Sequence, residues 1–228
     1  MHVRVLAALL VGLTACAQPQ PASEAERACR ALLAAPPGEW AVQVPPVLAL
    51  GRPAAATLAR EVAGDPSAPG AQAAAACLGA LGDLAVTPTL VDLLRSRGGA
   101  AYEAALALGR LRASEATAEL RAARDDTTAD PIVRTAAAAA LLDLGLTQDA
   151  LPLLLGVLRA DTPAGRSEQE RLRLPSRPRW ALERHVAIAA VRRSFGSDFG
   201  LDPDLSWPDL EAASQRLAQA AEARKEGR

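Results

Sequence analysis

The stretch 76–94, ACLGALGDLAVTPTLVDLL, decides how the whole chain is read. Two later stretches superimpose on it, LALGRLRASEATAELRAA at 106–123 and AALLDLGLTQDALPLLLGVL at 139–158. Leu78, Leu108 and Leu141 take one place, and Leu81, Leu111 and Leu144 recur three residues later. Leu90, Leu120 and Leu153 follow twelve residues after the first set. The period is 30 and then 33 residues, and self-similarity at such a fixed spacing marks a repeat array.

Each unit has the same grammar: an Ala-rich apolar helix, a short break, then a second helix with Leu at helical spacing. Ser114 and Thr147 stand where N-caps belong, Asp130 precedes Pro131 at a first helical position, and Pro69 and Pro88 sit near expected helix starts. A helical pair of this size cannot bury its apolar face alone, so it must stack on neighbours. Fainter copies flank the three. Upstream, Leu50-Gly51 and Val62 match Leu78-Gly79 and Leu90, with Pro45 and Pro46 expected to shorten the first helix of that pair. Downstream, RHVAIAAVRRSFG at 184–196 sets Val191 at the Leu141 position, 50 residues on, so an insertion falls at about 161–178. The expectation is an all-α chain, an α-α superhelix forming a short solenoid of about five helical pairs behind a leading helix near 24–35. A closed helix bundle has no need of the fixed period.

With the phrases CLGALGD and LALGRLR in place, residues 48–195 resemble the HEAT-like repeats of bacteria, the short kind also seen in phycobilin lyase subunits. That family often carries Arg at the start of the first helix; Arg134 and Arg184 match, whereas Ala71 and Ala101 depart. The phrase FGSDFGLDPDLSWPDLEAASQRL at 195–217 resembles the tail that closes many such arrays. Ser206 with Asp209 resembles a capping box and Pro208 fits a first turn. Residues 195–228 are therefore expected to form a terminal cap, with Phe195, Phe199 and Trp207 plugging the end of the core.

The N-terminus reads differently. Arg4 supplies a positive charge and Val5 to Leu13 form an apolar run, too short for a membrane span of about 20 residues but suited to a secretory signal. Directly after it, Leu13-Thr14-Ala15-Cys16 resembles the lipobox of bacterial lipoproteins. The resemblance implies a signal peptide at 1–15 and a lipidated Cys16 as first mature residue. Residues 16–23, running through AQPQPAS, then read as a tether, and 24–228 as the repeat domain. Two or more acyl chains hold a protein firmly at a bilayer. Ala17 stands where an Asp would favour inner-membrane retention, so the implied address is the outer membrane, facing the periplasm.

Composition narrows the chemistry. The formal charge is -1 over 228 residues, so nothing advertises nucleic acid, and aromatics make up 3%. Cys29 and Cys77 remain beside Cys16; an oxidising compartment permits a disulfide between them, and Ala/Leu-rich helices equally suit buried free thiols, so both readings stand open. His185 is the one histidine after the signal, too few for a multi-histidine metal site, and reads as solvated or capping. The run DDTTAD at 125–130 lacks the central Gly and closing Glu of a calcium loop and reads as helix-ending and helix-capping acids. DFG at 198–200 has no phosphate loop or catalytic loop to accompany it.

One surface concentrates charge. From Arg166 to Arg193 stand eight arginines against three glutamates, with Trp180 among them. Arg166, Arg171, Arg173, Arg177, Arg179 and Trp180 are the candidate partner-binding residues, since guanidinium forks grip carboxylates and phosphates. The expected function is a non-catalytic interaction or scaffold module held at the envelope, with another envelope protein as partner and no cofactor or metal. The alternatives are docking on anionic lipid or lipopolysaccharide through the insertion, and a lyase-like ligand-processing subunit, which would need an aromatic-lined cavity.

Overall fold

The computed structural model describes residues 23–159 and 179–226. Among them are eleven α-helices, three 3₁₀ turns and no strand, the all-α class that the repeat grammar predicts. In chain order they are α1 (Glu24–Ala34), α2 (Trp40–Ala49), α3 (Arg52–Gly64), α4 (Ala71–Leu81), α5 (Thr87–Arg95) and α6 (Ala101–Leu111). Then come α7 (Thr117–Asp125), α8 (Pro131–Asp143), α9 (Thr147–Arg159), α10 (Arg179–Phe195) and α11 (Trp207–Glu226).

Helix boundaries follow local chemistry. At α1, Ser23 and Glu26 form a full capping box, each side chain accepting from the other's backbone N–H. Asp130 accepts from the Ile132 N–H at 3.2 Å and Pro131 opens α8, as expected. Ser114 and Thr147 are not N-caps: Ser114 is the first residue of a 3₁₀ turn whose cap is Ala113, and Thr147 already belongs to α9. Helices α4, α6 and α8 end at left-handed residues, Gly82, Arg112 and Gly145. At α6 and α8 the closure is a Schellman motif: Ala113 N–H bonds Leu108 O at 3.1 Å, and Leu146 N–H bonds Leu141 O at 2.9 Å.

The helices form two layers. In one, α4, α6, α8 and α10 pack side by side; in the other, α3, α5 and α7 follow one another, and α9 lies against α8 and α10. Among consecutive helices, α5 packs on α6 and α7 on α8, pairs offset by one helix from the unit that repeats in sequence, whereas α8 packs as closely on α9, within the third unit. The Leu residues fill the space between layers: Leu78, Leu90, Leu108, Leu120 and Leu141 are fully buried, and Val191 takes the Leu141 place in α10.

Two expectations are corrected. In the third unit the buried residues are Ala150, Leu154 and Leu158, and Leu153 is only partly buried. The cause is the form of the helix start: Ser114–Ala116 make a 3₁₀ turn before α7, whereas residues 147–149 already belong to α9. Both starts hold a three-residue bond, Ala116 N–H to Ala113 O and Asp149 N–H to Leu146 O, but α9 adds a four-residue bond from Ala150 N–H to Leu146 O, so its inward residues fall one position later than those of α7. Nor do Pro45 and Pro46 truncate α2, which runs through both to Ala49. They remove the donors that the carbonyls of Ala41 and Val42 would use, a cost reduced on a helix this exposed because water can replace them.

Helix α1 packs on α2, α3 and α4 as part of the body. Its tie to the chain before α4 is Gly70, whose N–H bonds Leu33 O at 2.9 Å; a Cβ there would stand 1.9 Å from Leu32 O. Cys29 and Cys77 lie within this core as buried free thiols, so the disulfide reading is not the one the structure adopts. Burial pushes the Cys77 thiol up to about 11, and the neighbouring Cys29 adds to the effect.

Candidate functional site

The residues singled out from sequence are unevenly placed. Cys16, Arg166, Arg171, Arg173 and Arg177 lie outside the described residues, and Arg179 and Trp180 are the first two residues of α10, described by backbone alone. His185 is exposed, six positions into α10. The DDTTAD run does the capping work expected of it. Asp126 accepts from the Thr128 N–H and hydroxyl and pairs with Arg97 at 2.6 Å, and its carboxyl is held below the usual range by the Thr128 bonds first. In DFG, Asp198 accepts from the Gly200 N–H at 3.0 Å and pairs with Arg192 at 2.6 Å, which fixes a turn. Phe195 and Phe199 meet edge to face at 5.7 Å between ring centres, and Arg216 clamps the Phe199 carbonyl through two nitrogens. Ser206 donates to Asp209 at 2.5 Å instead of forming the full reciprocal box.

Arg134 and Arg184, which match the repeat pattern, have structural employment. Arg134 donates to the Arg124 carbonyl at 3.1 Å, tying α8 to the end of α7, and Arg184 is buried against the Pro203 carbonyl at 3.3 Å. Burial lowers the Arg184 pKa, against the pull of Asp204.

Part of the exposed charge is spent between helices. Arg30 pairs with Glu61, Arg60 with Glu26, Arg95 with Glu119, and Arg121 and Arg124 with Asp149, a ladder that links α1 to α3, α5 to α7 and α7 to α9. Each exposed pair contributes about 0–1 kcal/mol, so the ladder sets register more than stability. A groove of about 500 Å³ along α5 and α7 is crossed by this ladder, with Arg95, Arg97, Glu119 and Asp126 already paired to one another.

A second cleft differs. It encloses about 550 Å³ where the ends of α6, α8 and α10 meet the start of α9 and the end of α11. Arg110, Arg112, Arg193 and Arg224 line it, with Asp143 the one carboxylate, an excess of three positive charges in a chain whose net charge is -1. Arg193 forks onto Asp143 at 3.2 and 2.8 Å. Arg224 donates to the Ser194 carbonyl at 2.9 Å and lies over the Phe195 ring at 5.2 Å. Arg110 is 4.0 Å from Glu103, whose nearer oxygen is buried and has no hydrogen-bond donor. Burial raises the Glu103 pKa, opposed by the Arg110 charge. The Arg112 side chain makes no hydrogen bond or ion pair with any described residue. An adjoining hollow of about 280 Å³ shares Gly145, Thr147 and Arg224 with this cleft and adds Lys225.

The sequence reading missed this cleft because Arg110 and Arg224 are 114 residues apart. One signal was present: Arg112 stands at the helix end where the neighbouring units have Gly82 and Gly145. Among the described residues no group of three His, Cys, Asp or Glu is placed to hold a metal ion. No family model, curated protein or solved structure matches the chain.

Proposed function

We propose that this protein is a non-catalytic interaction module of the HEAT-like repeat type, tethered at the bacterial envelope by acyl chains on Cys16. The carrying observation is the adjacency of the lipobox-like LTAC to the folded body: α1 is capped at Ser23 and begins at Glu24, eight residues after Cys16. A tether that short keeps the helices against the bilayer surface on which the acyl chains lie. The helices themselves support the reading, because layered helices with nearest-neighbour packing give an extended surface for another protein. No helix among the described residues is long and apolar enough to cross a membrane; in this reading the attachment is the lipid.

Fractionation tests the anchor. The wild-type protein should sediment with the outer membrane, and Cys16→Ala should not; equal distribution of the two sinks the tether. Affinity capture from cross-linked envelopes tests the partner, with a form lacking residues 163–178 run alongside. Retention of one envelope protein, lost with the deletion, supports an interaction role for the Arg-rich insertion. The excess of arginines there also favours a second reading, docking on anionic lipid. Vesicle binding that falls steeply with salt and is lost with the deletion, without any protein captured, would favour it.

A further inference from the structure

The cleft between α6, α8, α10 and α11 presents an arginine that the fold does not use. Left-handed backbone costs an L-residue roughly 1 kcal/mol or more relative to glycine. Gly82 and Gly145 meet that demand at the ends of α4 and α8, with φ of 73° and 81°. At the end of α6 the same turn is made by Arg112, with φ of 53°. Glycine would close the helix as well, and Arg112 gives back no side-chain bond to any described residue. A non-glycine residue held in strained backbone at the rim of a cleft points to a role outside stability.

Its neighbours are set to act with it. A guanidinium carries five N–H donors. Arg193 spends Nε and Nη2 on Asp143 and Arg224 spends Nη1 on the Ser194 carbonyl, so each retains donors while its position is fixed. The Arg110 and Arg193 side chains are 42% and 44% exposed, enough to reach a ligand. Ser114 and Thr147 add hydroxyls, and Thr147 begins the 13-residue α9, whose first N–H groups also favour negative charge.

We propose that this cleft binds an acidic segment of a partner protein, its carboxylates met by Arg112 and by the remaining donors of Arg110, Arg193 and Arg224. The cations are distributed over three helices around Asp143, so spaced carboxylates meet several of them, whereas one compact phosphate would meet one or two and face the aspartate. The volume suits a few residues of chain, being within the range of roughly 300–1,000 Å³ typical of ligand sites. No lining residue of the cleft belongs to the insertion at 161–178, and the cleft lies at the C-terminal end of α10, about 25 Å along that 17-residue helix from its start. The proposal rests on the interaction-module reading for its partner but not on the lipid anchor, so its failure leaves the Cys16 fractionation result untouched.

The test is fluorescence anisotropy of labelled hexaglutamate with the purified protein at low salt, comparing wild type, Arg112→Gly and the form lacking 163–178. Arg112→Gly is chosen because it relieves backbone strain, so lost binding is not lost folding. The expected result is affinity weakened about three- to tenfold by Arg112→Gly, with melting temperature unchanged or raised, and retained by the deletion. Equal binding by wild type and Arg112→Gly overturns the proposal, as does binding lost only with the insertion. Binding of inorganic phosphate or phosphatidylglycerol vesicles but not hexaglutamate also overturns it, and assigns the cleft to phosphate chemistry.

Discussion

Two interfaces in the same layer, α6 on α8 and α8 on α10, solve one packing problem in different ways. In the first, Gly109 faces Ala140 so closely that a Cβ on the glycine would lie 2.7 Å from the Ala140 Cα. Gly79 stands against Ala107 in the same manner one unit earlier, with Cβ-to-Cβ at 2.7 Å. These two contacts explain why Leu78-Gly79 and Leu108-Gly109 recur: the leucine fills the space between layers and the glycine lets adjacent backbones touch. Glycine inside a helix costs about 0.5–1 kcal/mol, which the close approach offsets. In the second interface the equivalent position is Leu142, also buried, whose side chain rules out a contact that leaves no room for a Cβ. There α8 and α10 are joined by polar links at the helix ends, Arg193 on Asp143 and the Ser194 hydroxyl on the Leu142 carbonyl at 3.3 Å. The difference teaches that a sequence repeat can persist while its contact changes from backbone-to-backbone to side-chain clamp. The arginine-lined cleft opens where that change occurs.

Substitutions should break or sharpen the contrast. The largest effect belongs to Gly109→Ala: its Cβ meets backbone on α8, and the expected loss is about 2–3 kcal/mol in urea unfolding, where an ordinary exposed helical glycine would gain stability from alanine. A neutral or stabilising result would mean that α6 and α8 separate readily. Next is Asp143→Ala, which removes the α8–α10 clamp; about 1–2 kcal/mol is expected. A double-mutant cycle with Arg193→Ala should show coupling between the two, and simple additivity would remove the clamp from the account. Arg112→Gly has the opposite sign, a gain of about 0.5–1 kcal/mol read as a higher melting temperature. Glu103→Gln is the smallest, under about 0.5 kcal/mol near neutral pH. Burial raises the Glu103 pKa in the fold, so its protonated form is favoured there and wild-type stability is lost as pH rises through the folded pKa. The stability of Glu103→Gln relative to wild type should therefore grow as pH rises from about 4 to 7, and a flat difference would show that Glu103 pays no burial penalty.

Legibility varied along the chain for physical reasons. Helices with local signals were readable, such as α8 with Asp130-Pro131, because those signals act within a few residues. Leu154 in place of Leu153 was not, since a first turn that is α-helical instead of 3₁₀ rotates the helix and leaves composition unchanged. The candidate cleft was largely hidden: Arg110 and Arg112 read as part of one repeat, Arg193 and Arg224 as parts of others, and only packing brings them to one rim. The arginines that sequence did gather, from Arg166 to Arg193, are conspicuous because they are close in the chain, which is a different property from convergence in space.

By itself the sequence determined the helical class, the alternation of helices and breaks, and the burial of Leu78, Leu90, Leu108, Leu120 and Leu141, because period and capping are local and apolar burial follows from period. It also supplied the LTAC stretch on which the membrane reading depends. Tertiary structure alone decided which consecutive helices pack as hairpins, that Cys29 and Cys77 stay as free thiols, and that four distant arginines share a cleft. Those outcomes depend on how closely two helices can approach. That distance is set by both partners at once, by Gly109 with Ala140 or by Leu142 with its neighbours on α10, and no single segment encodes it.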